Sequence, residues 1–234
     1  MKNVFIGLLI LICPQLAISS TSQIIETDKL ETIKSYIKPE SWVLVDLDFT
    51  LFEAAEEYCH ADWFYHRLNV GLEAGKKKDD IIREFYPEWI QKQRNCKVKL
   101  IESESLRILT ELQNRGNWVI GFTHRQEPIA DFTISQVKSL GFEFSNGNSP
   151  KGSWKSNTPR CPILYKNGIL FACDYNSKGE VWTKFTREFL HENPKHIIFI
   201  DDGRANVESI AAVMKKQSIP YLGIFYTAYK NRKK

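Results

Sequence analysis

The sequence has little of the charge imbalance that marks polyanion-binding proteins. Its 32 Lys and Arg residues face 28 Asp and Glu residues, so the formal net charge over 234 residues is only +4. A nucleic-acid surface needs clustered cations, and only the last residues, Lys230–Lys234, cluster in this way. Internal repeats and low-complexity segments are also lacking, whereas 43% apolar residues suffice for a packed core. Disorder, collagen and coiled coil are excluded, and we expect no nucleic-acid partner.

Long hydrophobic runs are equally scarce. The first run, Val4–Leu16, covers about 13 residues, whereas a helix that crosses a bilayer needs about 20. Lys2 precedes the run, and Ala17 and Ser19 are small residues at the two positions that signal peptidase reads. The sequence therefore predicts a signal peptide at residues 1–19. We expect the rest of the chain to be exported to the periplasm or the medium, without stable membrane insertion after cleavage.

The sequence contains only five cysteines, one of which lies in the predicted signal peptide. The other four form an even set, which suits an exported and oxidised protein. Cys161 and Cys173 flank Asn167-Gly168, a strong two-residue hairpin signal that would bring them side by side. We therefore predict a Cys161–Cys173 disulfide and leave Cys59 and Cys96 either paired or free. No Cys or His pair has the spacing of a zinc site.

Short apolar runs alternate with helical periodicity along the chain. The runs are continuous and rich in β-branched residues, which is typical of strands buried on both faces of a parallel sheet. The predicted strands are Trp42–Asp46, Trp118–Thr123, His196–Asp201 and Tyr221–Tyr226. Helical faces lie at Leu100–Leu112, Ile129–Leu140 and Val181–Leu190, and Gly116 and Gly141 end the first two. This alternation predicts a doubly wound parallel α/β sheet.

One interval is too long for a simple crossover between strands. Helical patterns over Ala54–Asn69 and Lys77–Gln93 predict a small helical cap inserted after the first strand. Its many aromatic residues would form a core of their own or face a ligand. The predicted parts are the signal peptide, a core at residues 20–52 and 99–234 with a β-hairpin insertion at about 145–176, and a cap at residues 53–98.

Acidic residues stand at the ends of two predicted strands. In an open parallel sheet the binding site lies at the carboxyl ends of the strands. Asp46 and Asp48 follow the first apolar run, and Asp201 and Asp202 end the third. Carboxylates that converge from two strands need a cation, and a hard divalent metal with oxygen ligands is the natural partner. The sequence therefore predicts a magnesium site.

These residues belong to a set of motifs that resembles a known family. The set resembles the four ordered motifs of the haloacid dehalogenase (HAD) superfamily, specifically its aspartate-nucleophile phosphatases. The motifs are Asp46-Leu-Asp48-Phe-Thr50-Leu51, Thr123, Lys178 and Asp201-Asp202-x₃-Asn206. They occur in the family's order and span most of the chain. Within the superfamily the chain is similar to the secreted bacterial DUF2608 group.

The resemblance implies a role for each motif. Asp46 would attack phosphorus and form an aspartyl-phosphate, and Asp48 would act first as general acid and then as general base. Thr123 would donate to a phosphoryl oxygen, and Lys178 would neutralise developing negative charge. Lys184 is the alternative to Lys178. The carboxylate at Asp48 favours phosphoryl transfer over carbon–halogen cleavage.

The resemblance also implies a magnesium ligand set and a substrate contact. The ligands would be Asp46, the backbone carbonyl of Asp48 and Asp202, with Asp201 either a ligand or in support. Arg125 follows Thr123 closely enough to touch the substrate, or it is a surface residue paired with a cap carboxylate. His124 has the same two interpretations.

The leading functional prediction is an exported, magnesium-dependent phosphomonoesterase that hydrolyses a small phosphorylated molecule beneath its cap. Two alternatives stay open. A phosphotransferase or nucleotidase would use the same aspartyl-phosphate, and a catalytically silent exported binding protein would keep the fold without turnover.

Overall fold

The computed structural model of the protein describes residues 22–159 and 161–232. The predicted signal peptide, residues 1–19, lies outside the described residues. The strands are β1 (Ser22–Thr27), β2 (Ser41–Val45), β3 (Phe52–Ala54), β4 (Val98–Leu100), β5 (Trp118–Thr123), β6 (Trp154–Ser156), β7 (Ile163–Lys166), β8 (Ile169–Phe171), β9 (His196–Asp201) and β10 (Tyr221–Tyr226). The helices are α1 (Ala61–Glu73), α2 (Lys78–Arg94), α3 (Ser105–Asn114), α4 (Ala130–Ser139), α5 (Lys178–Phe185), α6 (Arg204–Gln217) and α7 (Ala228–Arg232).

Eight of these strands form one sheet in the order β1-β10-β9-β2-β5-β8-β7-β6. The pairs from β1 to β8 are parallel, and β7 and β6 complete one edge in antiparallel fashion. The four predicted strands are confirmed and supply β10, β9, β2 and β5. Since β2 lies between β9 and β5, the carboxyl ends of these three strands meet at one edge of the sheet. β1 has no counterpart among the predicted strands.

Helices cover both faces of the sheet. Alternate residues of a strand point to opposite faces, and β2 shows the consequence. Val43 and Val45 are buried in the layer that contains α3 and α4 residues, whereas Leu44 is buried in the layer with α5 and α6 residues. The predicted doubly wound α/β fold is therefore confirmed, and the predicted glycine stops at Gly116 and Gly141 have φ angles of 89° and 87°.

The segment between β2 and β5 contains the predicted helical cap, but its edges differ from the prediction. The helix predicted from Ala54 begins at Ala61, because residues 52–54 form β3 and pair in antiparallel fashion with β4. Leu100 likewise belongs to β4 and not to the following helix. Three-residue strands are too short for a period of two to show in sequence. α1 and α2 pack on each other through an aromatic core that includes Phe64, Phe85 and Trp89.

The predicted hairpin forms between β7 and β8. Asn167 and Gly168 both have left-handed backbone conformations, with φ angles of 49° and 77°, as a tight two-residue turn requires. Because β8 pairs in parallel with β5, the hairpin extends the central sheet. The predicted Cys161–Cys173 disulfide is present. A second disulfide joins Cys59, just before α1, to Cys96, just after α2.

The hairpin turn yields a stability prediction. Gly168→Ala is expected to lower the free energy of unfolding by about 2–4 kcal/mol, because the φ angle of 77° is unfavourable for alanine and overpacking adds to that cost. The added Cβ would lie 2.4 Å from the carbonyl carbon of Phe144. Gly75 has the same φ angle but no atom within 4 Å of an added Cβ, so Gly75→Ala should cost only about 1 kcal/mol. Urea unfolding measures both, and equal losses would contradict the steric explanation.

Candidate active site

The loop after β2 begins the candidate site. Asp46 extends the strand, and its backbone N–H donates to the carbonyl of Ile200 in β9 at 2.9 Å. Phe49 then adopts a left-handed conformation with a φ angle of 63°, which is uncommon for a residue other than glycine and is frequent at functional sites. The hydroxyl of Thr50 accepts a hydrogen bond from the backbone N–H of Asp202 at 3.0 Å. The loops after β2 and β9 are therefore tied together at the edge of the sheet.

Lys178, the first residue of α5, joins the central strands through one ammonium group. Its Nζ atom donates to Oδ1 of Asp46, to Oδ2 of Asp201 and to the carbonyl of Phe122, each at 2.6 Å. The side chain has no solvent exposure. Burial alone lowers the pKa of Lys178, but the carboxylates of Asp201 and Asp46 more than offset this and raise it. Lys178 therefore stays charged in the interior.

The alternative lysine lies elsewhere. Lys184, on the same helix, donates to Oε1 of Glu188 at 2.8 Å, and its side chain is 30% exposed. The structure therefore brings Lys178, and not Lys184, to the carboxylates.

The two aspartates that follow β9 differ in their surroundings. Besides Lys178 on Oδ2, Asp201 accepts hydrogen bonds on Oδ1 from the backbone N–H of Gly203 at 2.7 Å and from Nδ2 of Asn206 at 3.0 Å. Both of its oxygens are thus engaged. Asp202 is partly exposed, and its Oδ2 lies 3.8 Å from Nζ of Lys230.

Asp46, Asp201 and Asp202 form an acidic group that suits a metal ion. Each offers a carboxylate oxygen within 4.8 Å of the others. Burial, reinforced by the neighbouring Asp201, raises the pKa of Asp202 to about 7. Burial also raises the pKa of Asp46 well above its usual value, although Lys178 opposes the shift. The oxygen donors of this group fit a hard divalent cation.

Arg125 holds Asp48 through both carboxylate oxygens. Its Nε donates to Oδ2 of Asp48 at 2.7 Å, and a terminal nitrogen donates to Oδ1 at 2.8 Å. Arg125 is buried, so the expectation of a surface arginine paired with a cap carboxylate is wrong. Its partner is Asp48 in the loop after β2, the strand that lies next to β5 in the sheet. Thr123 is also buried, and its hydroxyl accepts the backbone N–H of Arg125 at 3.1 Å.

A cleft separates the cap from this edge of the sheet. Cap aromatics form one side, and polar residues that follow β2, β5 and β8 form the other. The lining includes Tyr65, Tyr86, Trp89, Asp48, His124, Arg125, Gln126 and Asp174. Burial, helped by Lys178, lowers the pKa of His124 to about 4, so the ring is neutral at pH 7. Its Nε2 lies 3.2 Å from the carbonyl of Asn176. Asp48 and the aromatic residues of the cap therefore line one opening.

Comparison with known proteins identifies the family. The family model described as "Protein of unknown function (DUF2608)" matches residues 26–234. The chain belongs to this family. The resemblance to the DUF2608 group that the sequence predicted is therefore confirmed.

Relatives of this DUF2608 protein occur in Chlamydia. A protein of Chlamydia trachomatis serovar D is 30% identical over 226 residues, which cover 95% of this chain and 84% of the relative. A protein of Chlamydia muridarum is 28% identical over 229 residues, covering 97% and 85%. Both carry provisional names as outer membrane proteins. Within the described part of this chain, no helix has the length and apolar character needed to cross a membrane.

Solved structures of a class C acid phosphatase from Bacillus anthracis are more distant. The form with tungstate bound aligns with a TM-score of 0.40 at 13% identity, over 83% of this chain and 70% of that chain. A second structure of the enzyme aligns with a TM-score of 0.39 at 13% identity, over 86% and 77%. Alignments this weak assign no activity to the DUF2608 chain.

Sequence reasoning assigned no individual role to three residues of the DUF2608 cleft. Tyr86 Oη and Gln126 Nε2 are buried and have no hydrogen-bond partner among the described residues. Asp174 follows the hairpin directly after Cys173, and burial raises its pKa to about 6. None of the three belongs to a motif. The aromatic content of the cap was the signal that pointed to Tyr86.

Asp174 yields a pH-dependent stability prediction. Its pKa of about 6 in the folded state lies above the usual value of 3.8, so the folded state binds this proton more tightly than the unfolded state. The resulting stabilisation is complete below about pH 4 and is lost as the pH rises through 6. Asp174→Asn should therefore stabilise the protein by about 1–3 kcal/mol at pH 7.5 and have little effect at pH 4.

Urea unfolding at both pH values measures the difference. Asp131→Asn is the matched control, since Asp131 is an exposed residue that pairs with Lys166 on the surface and its replacement should change stability by less than about 1 kcal/mol at either pH. A gain for Asp174→Asn that is equal at pH 4 and pH 7.5 would refute the assignment.

Proposed function

We propose that this DUF2608 protein is an exported, metal-dependent phosphomonoesterase of the HAD type, with Asp46 as nucleophile and Asp48 as general acid and base. The observation that carries the proposal is the fully buried Lys178, whose ammonium binds both Asp46 and Asp201. Burying a lysine costs several kcal/mol unless it is paired. A structural role alone gives no reason for two further carboxylates, Asp48 and Asp202, to stand at the same edge.

The nucleophile is fixed in orientation. Lys178 holds Oδ1 of Asp46, so Oδ2 is the oxygen that would attack phosphorus. In that step the Oδ2–P bond forms and the bond from phosphorus to the ester oxygen breaks, which leaves an aspartyl-phosphate. All three ammonium hydrogens of Lys178 already have acceptors. Lys178 therefore acts through its charge, by stabilising the negative charge that develops near Asp46.

Asp48 would handle the protons. In its acid form it gives a proton to the departing ester oxygen, and as the resulting carboxylate it takes a proton from the water that attacks the aspartyl-phosphate. Phosphate then leaves and Asp46 is restored. Thr123, whose hydroxyl accepts from a backbone N–H, keeps its own hydrogen for donation to a phosphoryl oxygen.

A metal ion would be held by carboxylates at the end of β2 and β9. Asp46, the backbone carbonyl of Asp48 and Asp202 are the proposed ligands, and Asp201 supports them because both of its oxygens already accept hydrogen bonds. Mg²⁺ is the proposed ion, since it prefers oxygen ligands and commonly joins carboxylates to phosphate. When bound, it would offset the repulsion between an anionic nucleophile and an anionic substrate.

The cleft supports a small phosphorylated molecule as substrate. The cap closes one side of the opening with Tyr65, Tyr86 and Trp89, which leaves little room for a folded protein. The unpaired Tyr86 Oη and Gln126 Nε2 would bind polar atoms of the leaving group, because buried polar atoms are normally paired. The proposed export rests on the predicted signal peptide at residues 1–19 and accords with the names of the Chlamydia relatives.

The first test of this function removes the nucleophile. Asp46→Asn should lower kcat/KM for p-nitrophenyl phosphate by about 10³-fold or more, because an amide cannot attack phosphorus. The exposed-residue variant Asp131→Asn should keep wild-type activity. Circular dichroism confirms that both variants are folded, and hydrolysis by Asp46→Asn at the wild-type rate would disprove the mechanism.

The same assay tests the metal. Dialysis against EDTA should abolish hydrolysis by the wild-type protein, and added Mg²⁺ should restore it, because the acidic group would lose its cation. Full activity in EDTA would contradict the metal site. It would not contradict the role of Asp46, which the Asp46→Asn variant tests independently.

The two lysines on α5 offer a matched pair. Lys178→Met should lower kcat by about 10²-fold or more, because it removes the charge that stabilises the phosphoryl group and the contact that orients Asp46. Lys184→Met removes a partly exposed ion pair with Glu188 and should leave kcat within about twofold of wild type. Thermal unfolding with Mg²⁺ present separates loss of activity from loss of structure. If Lys184→Met loses the activity and Lys178→Met keeps it, the assignment is wrong.

A further inference from the structure

A chain of buried polar side chains leads from the base of the cap to Asp48. It consists of Gln93 in α2, Gln136 in α4 and Arg125 after β5. Gln93 has no solvent exposure, and Gln136 and Arg125 are nearly as buried. We infer that these three residues form a relay that positions Asp48 for proton transfer. The inference rests on the proposed function, because it assigns Asp48 the role of general acid.

Arg125 is the end of the relay that touches Asp48. It uses four of its five N–H groups: two on Asp48, one on the hydroxyl of Thr133 at 3.1 Å and one on Oε1 of Gln136 at 2.6 Å. A planar guanidinium that binds both oxygens fixes the plane of the carboxylate as well as its position. A carboxylate has about four lone-pair sites, so the pair with Arg125 leaves others for proton exchange.

Gln136 connects Arg125 to the cap. Its Oε1 accepts from Arg125, and its Nε2 donates to the backbone carbonyl of Cys96 at 3.2 Å and lies 3.4 Å from Oε1 of Gln93. Gln93 in turn donates from Nε2 to the backbone carbonyl of Cys59 at 2.8 Å. The Cys59–Cys96 disulfide holds these two carbonyls together. In each of the two glutamines, the side-chain oxygen therefore faces a donor and the side-chain nitrogen faces an acceptor.

The consequence for chemistry is geometric. A general acid must lie within hydrogen-bond reach of the leaving oxygen, and a displacement of about 1 Å far from the reacting atoms can cost about 10²-fold in rate. Asp48 stands on the loop after β2, and Arg125 holds both oxygens of its carboxylate. Arg125 is accordingly a positioning residue for Asp48.

Gln136→Met tests the relay, because methionine keeps the length of the side chain but can neither accept from Arg125 nor donate to Cys96. The probes are phenyl phosphate and p-nitrophenyl phosphate, which are similar in shape but differ in leaving group. Phenolate departs poorly without a proton, whereas nitrophenolate departs readily. With Mg²⁺ present, kcat/KM for phenyl phosphate should fall by about tenfold or more, as expected for a displaced general acid. The value for p-nitrophenyl phosphate should fall by less than about threefold.

Two further variants make the result decisive. Gln93→Met cuts the relay at its cap end and should give the same selective loss, so it carries the test if Gln136→Met does not fold. Gln113→Met is the matched control, since Gln113 is another buried glutamine that donates to backbone carbonyls, those of Glu143 and Asn146, away from Asp48. It should leave the ratio of the two kcat/KM values unchanged.

The outcomes separate this inference from the proposed function. Equal losses for both esters, or no loss in either relay variant, would overturn the relay while wild-type hydrolysis still supports the phosphomonoesterase. If the wild-type protein hydrolyses neither ester with Mg²⁺ present, the proposed function fails first.

Discussion

The buried ammonium of Lys178 is the interaction on which the arrangement of the sheet edge depends. Each ion taken into a protein interior costs several kcal/mol, and the cost is offset only when good partners are already in place. Here the partners come from three adjacent strands: Asp46 after β2, Asp201 at the end of β9 and the carbonyl of Phe122 in β5. If β2 did not lie between β9 and β5, one ammonium could not reach all three. The strand order and the buried charge therefore require each other.

The charge of Lys178 alone does not neutralise the carboxylates at this edge of the sheet. Four aspartates, Asp46, Asp48, Asp201 and Asp202, gather at the edge, while the two buried cations near them are Lys178 and Arg125. Burial raises the pKa of Asp202 to about 7, and the neighbouring charge of Asp201 adds to the effect. A divalent cation would offset this excess of negative charge. The same excess would repel a phosphate dianion without the cation, so under the proposed function substrate binding would depend on metal binding.

Much of this could be predicted from the sequence. The central strands are continuous apolar runs, and the ordered motifs locate Asp46, Thr123 and Asp201 without knowledge of the fold. Spacing could not choose between Lys178 and Lys184, because both lie on one helix and only the packing of α5 shows which ammonium turns inward. The strands β1, β3 and β4 were missed because they lie at an edge or are three residues long.

The polar contacts beneath the cap were beyond sequence analysis for a different reason. A single glutamine has no periodicity and no motif, so Gln93 and Gln136 look like any two polar residues on a helix. Arg125 lies two residues after Thr123 in the sequence, and this position predicted that Arg125 is close to the substrate. Its actual partners, Asp48 and Gln136, lie 77 and 11 residues away in sequence.

The cap is held to the core by contacts of unequal strength. At its base, β3 pairs with β4, the Cys59–Cys96 disulfide ties the two ends of the cap to each other, and buried amides connect α2 to α4 of the core. At the cleft, Lys78 of α2 reaches the carbonyl of Asp174 at 3.4 Å and lies over the ring of Tyr175. Breaking a buried hydrogen bond leaves an unsatisfied polar group and costs about 1–3 kcal/mol, whereas a partly exposed contact exchanges readily with water. The more rigid attachment therefore reaches Asp48 through Arg125, and the weaker one lies at the cleft beside Asp174.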